Sequence, residues 1–307
     1  MNEIEITDIP ALDPGERALL DMHSLLNVFN VLRGEIALIG LELGDDTEFL
    51  SDSLMICDKL IADLRSPVAS VGAARDIELH IQGIQRQIGS AVAKHDAGNR
   101  KPEVNESLAN LESVYSVLRV RAREILARVT AAGDWIEFSV DGLKSDFLAV
   151  FAAIEKNSHG RYRILYNMAL QRELDYYVDF KIESVDAPRL WMPAVFQDVM
   201  RDLIANARKY TAPGGRITAA LHAGHDALRF RVEDTGRGIP DDEIREVVRF
   251  GHRASNVGDV RTMGGGFGLT KAFLVTKGFG GRFFIASRLG VGTSIRIEIP
   301  RPAHVTE

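Results

Sequence analysis

Val232-Glu233-Asp234-Thr235-Gly236-Arg237-Gly238-Ile239-Pro240 is the stretch from which the second half of this chain can be read. The residues leading into it alternate apolar and polar, the period of a strand, and pair by pattern with Ile217 to Ala223 across a turn at Gly224-His225-Asp226. The strand ends at an acid, and two glycines follow that let the backbone turn tightly and approach a ligand. An ionised carboxylate only accepts hydrogen bonds, so Asp234 suits an exocyclic amine such as adenine N6. Taken alone, the same residues also make an ordinary Asp-Thr-Gly turn.

Two further patches flank this one. Upstream, Asp202-Leu203-Ile204-Ala205-Asn206-Ala207-Arg208-Lys209-Tyr210 lies on an expected helix opened by Pro193. Asp202 and Asn206 are four apart and share a face. Oxygens for Mg²⁺ and an ammonium at Lys209 suit a metal-bound polyphosphate, although an isolated helix of this composition also reads as a solvated surface. Downstream, Gly264-Gly265-Gly266-Phe267-Gly268-Leu269 opens a helix. Consecutive glycines expose backbone N–H groups, and the helix N-terminus favours anions. The spacing fits neither a dinucleotide fingerprint nor a P-loop, which needs Gly-Lys-Ser/Thr.

In order and spacing the three patches resemble the N box and the two glycine boxes of the GHKL ATPase superfamily, in the wording of its two-component sensor histidine-kinase branch. Phe250-Gly251 sits where that branch has its F box, and Gly292-Thr293 resembles its late Gly-Thr. The resemblance covers roughly residues 140–300 and implies a GHKL α/β sandwich that binds ATP and Mg²⁺. It implies Asn206 as Mg²⁺ ligand, Asp234 as adenine reader, and Gly236, Gly238 and Thr293 beside the nucleotide. Lys209 and Tyr210 would lie near the phosphates or base, and Gly264, Gly266, Gly268 and Leu269 in the ATP lid. Asp202 would assist the metal or an attacking group.

The first half reads as helices. Asp13-Pro14-Gly15-Glu16 is a helix start, and Leu19, Met22, Leu26, Phe29, Ile36, Ile39 and Leu43 form one apolar stripe. Gly44-Asp45-Asp46 ends that helix and starts another through Phe49 to Leu64, and Pro67 breaks the chain. Helices at Val71 to His95 and Val104 to Thr130 follow, separated by the polar turn Ala97 to Pro102. The expected organisation is a tail at 1–13, a helical dimerisation and phosphotransfer domain at 14–134 with an insertion at 67–100, and the ATP-binding domain at 135–303.

A histidine kinase needs a phosphoacceptor, and Asp21-Met22-His23-Ser24-Leu25-Leu26-Asn27 offers it. His23 and Asn27 are four apart beside the apolar stripe, which predicts a solvent-accessible imidazole, nucleophilic near neutral pH. The His-x-x-x-Asn spacing resembles the family's H box, where the Asn positions water for dephosphorylation. The family usually has Glu or Asp after the histidine as a base; Ser24 cannot serve so.

Composition narrows the alternatives. The formal net charge of −6 over 307 residues argues against a nucleic-acid partner. The lone Cys57 excludes an intramolecular disulfide and a multi-cysteine metal site. MNEIEITDIP lacks the apolar run of a secretion signal, and no stretch approaches the ~20 apolar residues of a membrane span. The expectation is a cytoplasmic histidine kinase that autophosphorylates on His23 and passes the group to a response-regulator receiver domain, with dephosphorylation as a second role. Its helices predict a homodimer, and its input a separate sensor protein. The alternatives are a degenerate kinase that binds and inhibits or dephosphorylates the regulator, and a GHKL ATPase outside signalling.

Overall fold

The computed structural model describes residues 1–44, 50–95, 102–130, 134–156, 160–259 and 266–305. The chain divides into two units, Ala11–Ala131 and Met1–Pro10 with Ala132–Glu307. The second unit therefore begins at the N-terminus, with strand β1 (Ile4–Ile6).

The helical unit comprises α1 (Pro14–Gly44), α2 (Ser51–Asp63), α3 (Pro67–Arg75), α4 (Ile77–His95) and α5 (Pro102–Thr130). A reciprocal capping box opens α1: Asp13 Oδ1 accepts from Glu16 N–H at 2.8 Å, and Glu16 Oε2 from Asp13 N–H at 3.0 Å. The buried face of α1 is Leu25, Phe29, Leu32, Ile36 and Ile39, and α1 packs on α2 and α5. From α5 come Leu111, Tyr115, Leu118, Ala122 and Ile125. Ion pairs Arg33–Asp58 and Arg119–Glu78 tie α1 to α2 and α5 to α4 at the surface.

Two details differ from the sequence expectation. Pro67 starts a helix rather than merely breaking the chain: it stands at the first helical position, with Ser66 Oγ capping Ala69 N–H at 3.3 Å. The helix expected over Val71 to His95 is two, α3 and α4, divided at Asp76, whose N–H closes α3 on Gly72 O while its carbonyl starts α4. The expected turns at Asp45-Asp46 and Ala97 to Lys101 lie outside the described residues, as does Phe49.

The second unit continues with β2 (Trp135–Ser139), α6 (Val140–Lys156), β3 (Ile164–Leu165), β4 (Tyr176–Ser184), β5 (Arg189–Pro193), α7 (Phe196–Tyr210), β6 (Arg216–Ala223), β7 (Ala227–Asp234), α8 (Gly268–Gly278), β8 (Arg282–Arg288) and β9 (Gly292–Pro300). Seven strands form one sheet in the order β1-β8-β9-β7-β6-β4-β3, with β2 and β5 paired apart from it. The β3–β4 and β4–β6 pairs are parallel, the others antiparallel. The helices cover one face, and Phe196, Phe230, Phe273 and Phe283 are fully buried between the layers. This is a helical N-terminal region followed by an α/β sandwich, the architecture the sequence resemblance implied.

The segment expected as a tail is thus partly structural. Ile4 and Ile6 face Ile285 and Phe283 across the pairing, and Glu3 and Glu5 bind Arg296 and Arg282. Pro193, expected to open the helix of Asn206, ends β5 instead, and α7 starts at Phe196. The strand expected over Arg161 to Tyr166 shortens to Ile164–Leu165, because only those residues pair with β4.

Candidate active site

β7 ends where the sheet meets the C-terminal half of α7. Asp234 Oδ1 accepts from Gly236 N–H at 2.8 Å and from Thr293 N–H at 3.3 Å. Those bonds hold the carboxylate in place while leaving lone pairs for a ligand donor. Burial lifts its pKa to about 6, against the two N–H bonds, which pull it down.

The glycines around it are steric necessities. A Cβ on Gly236 would sit 2.5 Å from Tyr210 O, and one on Gly238 2.1 Å from Arg288 O, with φ at +71°. A Cβ on Gly292 would lie 1.9 Å from Asp234 O. Ser287 braces the same turn: its hydroxyl accepts from Ile239 N–H at 2.8 Å and lies 2.9 Å from the Thr293 hydroxyl. Sequence reasoning missed Ser287, whose role depends on a strand turn that only pairing reveals.

α7 presents Asn206, Lys209 and Tyr210 from its last two turns. A Cβ on Gly268, at the start of α8, would meet Asn206 Nδ2 at 2.8 Å, so Gly268 lies directly on the carboxamide. Gly266 has φ +79° and packs on the backbone of Gly251 and His252. Phe250 stacks on Phe267 with ring centroids 4.7 Å apart, which joins the expected F box to the glycine segment. Leu269 packs against the core, whereas Gly264 lies outside the described residues.

Lys209 is depressed to about 8, first by burial and then by the nearby Arg253 and Arg208 guanidinium groups. Clustered cations with a lowered ammonium pKa describe a place that gains from an anion. Arg253 was not singled out in the sequence; a cation three residues past Phe250 was the available signal. The residues thus fit a polyphosphate nucleotide: the glycines let the backbone strands close tightly around Asp234, whose carboxylate can accept from a base, and Lys209, its ammonium 4.9 Å from the Tyr210 ring centroid, stands among cations that an anion would offset. Among the described residues no three His, Cys, Asp or Glu side chains gather as a metal site. The protein oxygen available to a Mg²⁺ would be that of the Asn206 carboxamide, and phosphate and water would have to supply the remaining ligands.

Asp202, expected to assist the metal or an attacking group, forms an ion pair: its Oδ2 lies 3.3 Å from Lys271 Nζ, and Lys271 is only 1 % exposed. Asp198, a turn earlier on α7, is 3.6 Å from the same ammonium and 3.2 Å from Arg201. A lysine in the first turn of the helix after Gly268, flanked by Leu269, Ala272 and Phe273, was the available signal.

His23 and Asn27 lie four apart on α1, in the helical unit, and Asn27 is half-buried. The side chains of Asp21, His23 and Ser24 are outside the described residues, and with them the expected accessibility of the imidazole.

Residues 193–303 match the family described as histidine kinase-, DNA gyrase B-, and HSP90-like ATPase. That part of the chain is similar to the ATPase domains this family model describes, and its relatives include sensor histidine kinases. The adaptive-response sensory kinase SasA of Synechococcus elongatus is 28% identical over 268 residues, covering 84% of this chain and 61% of that protein. The histidine protein kinase DivJ of Caulobacter vibrioides is 32% identical over 117 residues, 38% of this chain and 19% of that protein. The catalytic domain of histidine kinase ThkA resembles this chain with a TM-score of 0.39 and 19% identity, over 54% of this chain and 95% of that structure. The chain therefore spans about three fifths of the SasA relative's length. Among the described residues no single helix is long and apolar enough to cross a membrane.

Proposed function

We propose that the chain is a protein-histidine kinase that binds ATP with Mg²⁺ in its α/β domain and phosphorylates its own His23. Asp234 reads the adenine amine, Gly236 and Gly238 allow the tight backbone turn that sets Asp234 beside the base, and Lys209 with Tyr210 lies along the phosphates. Asn206 holds Mg²⁺ through its carboxamide oxygen, and the metal there supplies charge neutralisation on the transferring group. Such transfer needs chiefly positioning and charge compensation. The observation that carries the reading is the joint placement of Asp234 on two backbone N–H groups and Asn206 against Gly268.

From His23 the phosphoryl group passes to an aspartate of a response-regulator receiver domain, and Asn27 positions water for the reverse dephosphorylation. The proposal includes a cytoplasmic homodimer through the helical unit and input from a separate sensor protein. Relatives named as sensory kinases support the kinase part of this reading.

The test is nucleotide binding by calorimetry. Wild type should bind ATP with Mg²⁺, and Asp234→Ala should weaken it at least a hundredfold while leaving a cooperative thermal transition. Equal affinity in both proteins would remove Asp234 from the site. Ser24, in place of the usual acid after His23, favours a second reading, a regulator-binding phosphatase or inhibitor with regulatory ATP. Under it nucleotide binds and no phosphohistidine forms.

A further inference from the structure

A buried ammonium is costly unless paired, so Lys271 must owe its position to its partners. They all lie on α7. Asp198, Asp202 and Asn206 follow at intervals of four and share a helix face. Lys271 reaches the first two at 3.6 and 3.3 Å, and Arg201 adds a second cation at 3.2 Å from Asp198. Two cations thus meet two carboxylates inside the seam between α7 and α8. Lys271 stands in the first turn of α8, its N–H bonded to Phe267 O at 2.9 Å, three residues after the glycine that packs on Asn206. The ion cluster and the Asn206–Gly268 contact are therefore successive turns of one seam.

We infer that Lys271 is a positioning residue for nucleotide binding: it sequesters the Asp202 carboxylate away from the metal and phosphates and sets Gly268 against Asn206. The inference rests on the nucleotide reading above and changes the part that Asp202 plays in it. An uncompensated carboxylate one turn from Asn206 would repel a polyphosphate and draw the divalent cation to itself. With Lys271 in place, the face turned to the phosphates presents an amide and the Lys209 ammonium.

The experiment measures the affinity of the full chain for ADP with Mg²⁺ and with EDTA, and compares the ratio of the two dissociation constants among variants. Lys271→Met should weaken metal-free ADP at least tenfold more than Mg²⁺-ADP, because the released Asp202 acts on the bare phosphates. Lys271→Arg should hold the wild-type ratio, and Lys271→Met with Asp202→Asn should return it to within about twofold. Equal weakening of both forms without recovery in the double variant would reduce Lys271 to a purely structural role and overturn the inference. So would a double variant that has lost its Mg²⁺ preference, since Asp202 would then be a metal ligand. If Lys271→Met does not fold, the double variant, which removes both members of the Lys271–Asp202 pair, decides by the same ratio. A wild type that binds ADP under neither condition overturns the nucleotide reading itself, and the two failures are thereby told apart.

Discussion

Asp234 and Lys209 carry the electrostatics of the site, and their shifted pKa values set its pH window. In the proposed reading Asp234 accepts from the base more strongly when ionised, so nucleotide affinity should fall as pH drops below about 6. Lys209, near 8 in the empty site, attracts phosphate only when protonated, so affinity should decline again above about 8. Calorimetric titration from pH 5 to 9.5 should therefore give a plateau between those limits; a flat profile would contradict both assignments. For stability the sign is opposite. A carboxyl raised from 3.8 to about 6 makes the ligand-free fold less stable as pH rises through that interval, and the penalty persists above it. Asp234→Asn should thus stabilise the empty protein at pH 7 by on the order of 1 kcal/mol, read as a higher Tm, while losing nucleotide. Gly238→Ala tests the backbone: with φ at +71° and a Cβ 2.1 Å from Arg288 O, it should cost more than about 2 kcal/mol in denaturant unfolding. These residues were legible because each needs a residue type at a spacing. Lys271 and Ser287 were not, because their partners come from other elements: α7 for Lys271, and the turn at Ile239 for Ser287.

Elements were legible where their pattern is self-sufficient. The capping box of α1, the β6–β7 hairpin and the α8 start at the glycines all follow from local sequence. β2 and β5 did not, because each gains its partner from about fifty residues away and Pro193 imitates a helix start. β1 failed for a related reason. Glu3-Ile4-Glu5-Ile6 alternates like a strand, yet three paired residues hold only because β8 offers an open edge. Ile6 is 2 % exposed there, so Ile6→Asp should destabilise the α/β domain by about 2–4 kcal/mol, read as a fall in Tm with the helical unit unaffected. An unchanged transition would mean that β1 contributes nothing to the sheet. In the helical unit Phe29 is fully buried, and Phe29→Ala should cost about 3–5 kcal/mol by the same measurement.

At the scale of the whole molecule, the proposed nucleotide residues belong to one unit and His23 to the other, and the proposed transfer requires them to meet. The α/β half announced itself through three spaced motifs, while the helical half offered only one histidine in a suggestive setting, since amphipathic helices look alike whatever they do. Light scattering at micromolar concentration should give a mass near twice the 33.9 kDa of the chain; a monomer would reject dimerisation through the helical stripe. The central claim, a histidine autokinase, is tested most directly by incubating the protein with γ-labelled ATP and Mg²⁺, with His23→Ala and Asn206→Ala alongside. The account predicts acid-labile, base-stable label on the wild type and on neither variant. Label that persists on His23→Ala, or no label on a wild type that binds nucleotide, would contradict it.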